Sequence, residues 1–456
     1  MEPRKLVIRA YQVGFGDCFL LSFGYSKSEK RGQRERHVLV DFGSTGMPEG
    51  IKPSEQMLKV ANDIAERCDG KLDIVVATHR HKDHISGFTT NDDETASGNI
   101  IARLKPHMVI QPWTEDPALK DPKLPPLKRR GAQGMQASAP AQFFSSLHAM
   151  NLLAESAQRE VQHLTSAKFR QPLAADVAEQ IDFLANDNTL PNRSAVANLA
   201  SMGENHYVHF GYPLKLSQLL PGVKVHVLGP PTLEQHAEIQ RQRSRDANEF
   251  WMLRAAAQRF WGIQSATAAQ EQEQEQSQTI LFPGADVYQD FFPSHDRWFI
   301  RQLRTLRAEQ LLGLVRVLDD EMNNTSVILL FEVGGKKLLF PGDAQIENWE
   351  YALGQPEVAK LLSDVSLYKV GHHGSRNATP KTLWNMFSHK NPEMKARNRL
   401  RTVISTMKGK HGHRQSQTEV PRTTLVKELS NLSDYITTET AAKNAELYVE
   451  TELRFS

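Results

Sequence analysis

The chain has 456 residues, enough for two or three domains or for one core carrying large insertions. Its 39% apolar content supports a real core but leaves much of the length to solvated helix and loop. A net charge of +2 excludes a globally basic nucleic-acid binder, and two cysteines exclude a disulfide framework, which makes a reducing cytoplasm the expected home.

At the N-terminus, Met1 to Lys5 lead into a strand pattern with no signal-peptide apolar region, and no later run approaches the length of a membrane span. Residues 6–11 alternate weakly and predict a strand. A glycine turn and a second strand follow over 13–21. Residues 31–36 read as a charged hairpin loop, and 37–43 as a third strand ending near Asp41. Helical spacing of Met57, Val60, Ala61 and Ile64 predicts a helix over 53–68. Residues 74–78 are apolar or β-branched and predict a buried strand, with polarity switching abruptly at His79.

The stretch His79-Arg80-His81-Lys82-Asp83-His84 then packs three imidazoles and a carboxylate into six residues. A lone histidine on a surface loop is usually just solvated, but this density directly after a buried strand is metal-ligand chemistry. The His-x-His spacing lets His79 and His81 reach one ion, while Asp83 and His84 on the following turn reach a second. Zinc, manganese or iron accepts such mixed nitrogen and oxygen ligands.

Between 114 and 205 the pattern breaks. Pro125, Pro126 and Lys128-Arg129-Arg130 mark a linker, and helices are predicted over 141–164 and 174–184. Sheet returns over 206–230, with an alternating strand at 223–228 stopped by Gly229-Pro230-Pro231. A second irregular block spans 231–320. Its stripe of Phe250, Leu253, Ala257 and Phe260, with Trp251 and Trp261 beside it, suits core or a subunit contact better than a substrate platform. Residues 268–276 are a low-complexity Gln/Glu run.

Order returns over 321–456. A strand over 323–333, a turn at Gly334-Gly335 and a strand over 336–340 lead to Pro341-Gly342-Asp343. A helix near 348–353 follows. A strand over 365–370 then runs into Gly371-His372-His373-Gly374-Ser375, and a strand over 401–405 precedes Lys408, Lys410, His411, His413 and Arg414. Three predicted strands thus end in metal-type residues.

With these pieces in view, the chain resembles the metallo-β-lactamase-fold hydrolases, in particular the metal-binding domain of the bacterial competence protein ComEC. The matching segments are Val13-Gly14-Phe15-Gly16-Asp17, Leu39-Val40-Asp41-Phe42-Gly43, the His79 to His84 motif, Pro341-Gly342-Asp343 and Lys369-Val370-Gly371-His372-His373-Gly374-Ser375. They stand in the family's order and cover about half of the chain. The resemblance implies an α/β fold, an αββα sandwich whose two halves are 1–113 and 321–456, with 206–230 returning to the sheet; the largely helical blocks at 114–205 and 231–320 are insertions with no counterpart in it. It also implies two divalent ions, zinc or manganese. His79 and His81 would hold the first and Asp83 and His84 the second. Asp343 would bridge them, His372 would complete the second site with His373 as the competing choice, and Asp41 would orient a ligand imidazole.

One further histidine of the commoner family pattern has no counterpart between His84 and Asp343. Glu115 or Asp116 is a possible oxygen substitute, and an ordinary loop carboxylate is an equally good reading of either; an oxygen-rich site would favour manganese. His411 or His413 suits a proton donor to a leaving oxygen, and Lys408, Lys410 and Arg414 suit phosphate binding, against the plain alternative of a solvated basic loop. Ser375 and Asn377 suit helix capping better than substrate contact.

The function implied is a metal-dependent hydrolase in which a water bridging two ions, made acidic by them, attacks a phosphodiester. DNA or RNA is the expected substrate. The basic cluster Lys395, Arg397, Arg399 and Arg401, close in sequence to a strand that ends at the site, supports that choice. The alternatives are a small-molecule hydrolase acting on a nucleotide, lactone or phosphoester, and a non-catalytic partner protein. No membrane is expected, and oligomeric state is left open.

Overall fold

A computed structural model describes residues 2–26, 35–117, 193–232, 234–236, 323–375, 379–410 and 419–455. By internal contacts the chain divides into two units, and all described residues belong to the first, which comprises 1–152, 186–240 and 318–456. The helices expected at 141–164 and 174–184, the aromatic stripe at 250–261 and the low-complexity run lie outside the described residues, as does most of the charged loop at 31–36.

Apolar runs with buried residues on both faces build two mixed sheets, and the architecture is α/β. The first sheet contains β1 (Lys5–Tyr11), β2 (Cys18–Gly24), β3 (Glu35–Phe42), β4 (Ile74–Val76), β5 (Met108–Pro112), β6 (Glu204–Val208) and, outside β1, β13 (Tyr448–Arg454). β13, β1, β2 and β3 pair antiparallel, whereas β3, β4, β5 and β6 run parallel. The second sheet contains β7 (Val223–Gly229), β8 (Ile328–Val333), β9 (Lys336–Phe340), β10 (Val365–Lys369), β11 (Arg401–Ile404) and β12 (Asp434–Thr437) in sequential order. Here β7, β8 and β9 are antiparallel, and β9 to β12 parallel.

The two sheets share one core. Phe19 of β2 meets Phe340 of β9 edge-on at 5.9 Å, and Phe23 lies 6.4 Å from Phe331 of β8. Leu6, Ile8, Val38, Val40, Leu329 and Leu367 fill the same cluster. Helices cover the outer faces. On the first sheet, α1 (Pro53–Arg67) turns Met57, Val60, Ala61 and Ile64 onto Leu20, Leu39 and Val75. Each fully buried Val or Ile contributes roughly 1.5–3 kcal/mol, so this stripe fixes the helix to the sheet. Behind it come the one-turn α2 (Lys82–Ile85), then α3 (Ser97–Arg103) and α4 (Arg193–Ser201). On the second sheet, α5 (Ile346–Leu353), α6 (Pro356–Ser363), α7 (Lys381–Met386) and α8 (Thr423–Leu432) bury Trp349, Leu362, Leu383 and Leu429 against Leu330, Leu339 and Tyr368. The short α9 (Thr438–Asn444) links β12 to β13.

The glycine turn expected at the start of 13–21 is a loop over 13–17, in which Phe15 N–H donates to Gly46 O and Asp17 N–H to Asp83 O. One predicted strand is shorter than its apolar pattern. Residues 323–327 form a turn before β8, where Val327 N–H donates across to Thr78 O at the end of β4. The core resumes by Arg193, since α4 buries Ala195 and Leu199 in the α1 cluster and β6 pairs with β5.

Candidate metal centre

Chemistry gathers where the parallel strands end, the edge at which open α/β sheets hold their ligands. Asp41 closes β3, and Thr78 and His79 follow β4. Gly342 and Asp343 follow β9, His372 and His373 follow β10, and Ser405 follows β11. The backbone is bent to bring them in. Asp41, His372 and His373 adopt φ values of 56°, 42° and 49°, a left-handed conformation rare outside glycine and costly unless the surroundings enforce it. The loop after β3 rests directly on α2: a Cβ at Gly43 would stand 2.4 Å from the Asp83 carbonyl carbon and the His84 nitrogen.

The motif residues converge. His79 Nε2 and His81 Nδ1 face each other at 3.0 Å, with Asp83 in the same group. A second group joins Asp83, His84, Asp343 and His373, their ligating atoms all within 4.8 Å of one another. Asp83 therefore belongs to both groups. Its Oδ2 lies 2.8 Å from His373 Nε2, and its Oδ1 lies 3.8 Å from His84 Nε2.

Both imidazoles of the second group are oriented from behind. His84 Nδ1 lies 2.9 Å from Asp41 Oδ2, and His373 Nδ1 lies 3.0 Å from the carbonyl oxygen of Ser405. With Nδ1 donating to an oxygen, each ring turns Nε2 toward the buried carboxylates, the nitrogen that a ligating histidine offers once its proton is lost. Asp41 is itself fixed, accepting from Thr78 N–H at 2.7 Å and Thr78 Oγ1 at 2.8 Å.

The remaining histidine of the pair plays a different part. A third group joins Asp17, Asp41 and His84, and His372 is in none of the three; its backbone N–H donates to Asp343 Oδ1 at 2.9 Å. Asp343 Oδ2 meanwhile lies 3.1 Å from His84 Nε2.

Four carboxylates, those of Asp17, Asp41, Asp83 and Asp343, are almost fully buried here beside a single ammonium, Lys369. Carboxylates buried this close together call for compensating positive charge, from Lys369, from charged imidazoles or from a bound cation. Burial and the neighbouring imidazoles hold His79 well below the usual histidine range, and burial sets His81 down to about 4, so both rings are neutral and able to ligate. His84 and His373 go the other way. Burial opposes their charging, but Asp343, Asp83 and Asp41 raise His84, and Asp83, Asp17 and Asp343 raise His373. Despite burial, Asp83 is held low by His84 and His373, and Asp343 by His84 and His372.

The residues fit a divalent metal. Asp83 Oδ1 is buried with no hydrogen-bond partner, and His84 Nε2 makes no well-formed hydrogen bond despite its 3.1 Å approach to Asp343. Unsatisfied buried donor atoms converging from several chain segments are what a cation would complete. No family model matches the chain, and no curated protein does.

Other expected residues stand elsewhere. Glu115 ends a 3-10 turn after β5, with Oε1 3.8 Å from Arg80 Nε, and lines a small pocket with His79, Arg80, Gln111 and Leu199; neither it nor Asp116 joins a ligand group. Lys408 and Lys410 are exposed, and the Lys410 stem lies against Gly46 in the loop after β3. His411, His413, Arg414 and Asn377 lie outside the described residues.

The basic cluster at 395–401 is at the wrong end of β11 to serve the site. Arg399 is buried, donating to Asn391 O, Asn431 O and Asp434 Oδ1, and Arg401 donates to Glu452 O and Thr451 Oγ1. Proximity in sequence misled because a strand carries the chain about 3.3 Å per residue, which puts Arg401 roughly 13 Å from Ser405.

Sequence reasoning gave no role to Asp17, Lys369 or Ser405, although the first two stand in the segments that carry the resemblance. Lys369 had a legible signal, a lone cation closing an otherwise apolar strand. Ser405 acts through its backbone carbonyl, which no side-chain pattern reveals.

Proposed function

We propose that this chain is a metal-dependent hydrolase of the metallo-β-lactamase type that cleaves phosphodiester bonds. The observation that carries the reading is the pair of imidazoles, His84 and His373, tethered at Nδ1 and aimed through Nε2 at Asp83 and Asp343. Two facing sheets with helices on both outer faces support the sandwich architecture.

His79, His81 and Asp83 would hold one ion, and Asp83, His84, Asp343 and His373 the other. When bound, divalent ions there supply Lewis acidity, which promotes attack by water and neutralises charge developing on a phosphoryl group. The protein's own part is preorganisation. Asp41 and the Ser405 carbonyl fix the ring planes and tautomers, and burial of the carboxylates keeps bulk water from competing for the ligand atoms. Lys408 and Lys410 suit contacts to phosphate oxygens.

A second reading, hydrolysis of a small anionic molecule, is favoured by the engagement of Arg399 and Arg401 within the fold, which removes them from any nucleic-acid track. The deciding experiment is a side-by-side assay of single- and double-stranded DNA, RNA, cyclic nucleotides, a lactone and a chromogenic phosphodiester, each with zinc and manganese. Nucleic-acid cleavage that weakens as salt rises supports the first reading. Turnover confined to small phosphoesters moves the assignment to the second, and turnover of the lactone alone contradicts both. In either case Asp343→Ala is expected to abolish turnover while keeping the circular-dichroism spectrum of the parent.

A further inference from the structure

Lys369 closes β10 at 2% exposure, an unusual state for an ammonium group. Its Nζ is ion-paired with Asp17, lies 3.6 Å from Asp343 Oδ1 and donates to Gly342 O at 3.2 Å. Asp17 sits in the loop that enters β2 of the first sheet, whereas Lys369, Gly342 and Asp343 belong to strand ends of the second. The pair is thus a strut joining the two banks of the site.

The strut acts on one oxygen. Asp343 Oδ1 accepts the His372 N–H at 2.9 Å and has the Lys369 ammonium 3.6 Å away, while Oδ2 lies 3.1 Å from His84 Nε2. A buried ion pair is a poor stabiliser, because desolvating both charges offsets their attraction, and an apolar replacement of the whole pair is often neutral or stabilising. Fold stability therefore does not account for it, whereas orientation of Asp343 does.

We propose that the Asp17–Lys369 pair is a positioning element for cation binding, which fixes the Asp343 carboxylate so that a single oxygen is presented to the ligand group. This rests on reading the site as a metal centre. The test is calorimetric titration of zinc and of manganese into chelator-treated full-length protein, with thermal unfolding of the same metal-free samples. Three proteins are compared: the parent, Asp17→Asn with Lys369→Met together, and Asp17→Asn alone.

The double variant is expected to bind its weaker equivalent of metal roughly 10–100-fold less tightly than the parent, the usual cost of losing a residue that orients a ligand, while its metal-free melting temperature changes little. A purely structural pair would do the reverse. Metal binding within threefold of the parent overturns the proposal, and so does loss of the folded state in both variants. If only the double variant fails to fold, the isosteric Asp17→Asn decides by the same criterion. A parent protein that takes up no metal overturns the underlying reading instead.

Discussion

His84 Nδ1 lies 2.9 Å from Asp41 Oδ2, so the carboxylate that closes β3 sets the ring plane of a histidine on α2. Asp41 adopts a left-handed backbone at φ 56° to reach it. Asp41→Asn keeps the volume but can present its amide N–H to the ring, which would favour the wrong tautomer. The expected result is a folded protein whose metal affinity falls roughly 10–100-fold, read by competition with a chromophoric chelator. Unchanged affinity would show that the contact does not orient a ligand.

His37 gives a pH dependence away from the site. It is buried on β3, with Nδ1 3.0 Å from Ser22 Oγ, and burial, with Arg67 nearby, pushes its pKa down to about 4. The unfolded chain, near 6.5, takes up its proton first. This contribution to stability is therefore complete above pH 6.5 and is lost as pH falls toward 4, by up to about 3 kcal/mol. Urea unfolding at pH 7.5 and pH 4.5 should show a smaller acid loss for His37→Gln than for the parent. Equal losses would mean that His37 does not contribute.

Arg399 is expected to behave as a fold residue and not as a substrate contact. Its guanidinium satisfies two backbone carbonyls and Asp434, so Arg399→Ala should cost about 2 kcal/mol in urea unfolding. Affinity for oligonucleotides, measured under conditions where the variant is folded, should stay at the parent's value. Normal stability with weakened binding would reverse the assignment.

Much of this was legible because strand and site signals coincide in the chain. The apolar run before His79, the hairpin at Gly334-Gly335 and the amphipathic spacing of Met57, Val60, Ala61 and Ile64 correspond to β4, the β8–β9 turn and α1. The density of ligand types in His79 to His84 singled out the site. What sequence could not decide was direction. Whether His372 or His373 faces the carboxylates depends on two successive left-handed residues, and local pattern does not encode which ring then turns inward. Nearness in sequence misled at Arg399 and Arg401, which stand at the start of β11 while the site gathers at its end, because the length of a strand is distance in space.

Metal content tests the central claim most directly. Full-length protein purified without chelator and loaded with zinc or manganese is predicted to carry about two divalent ions per chain by elemental analysis, a value that falls in Asp343→Ala while the variant remains folded. Protein that retains no metal after purification and takes up none on titration would contradict it.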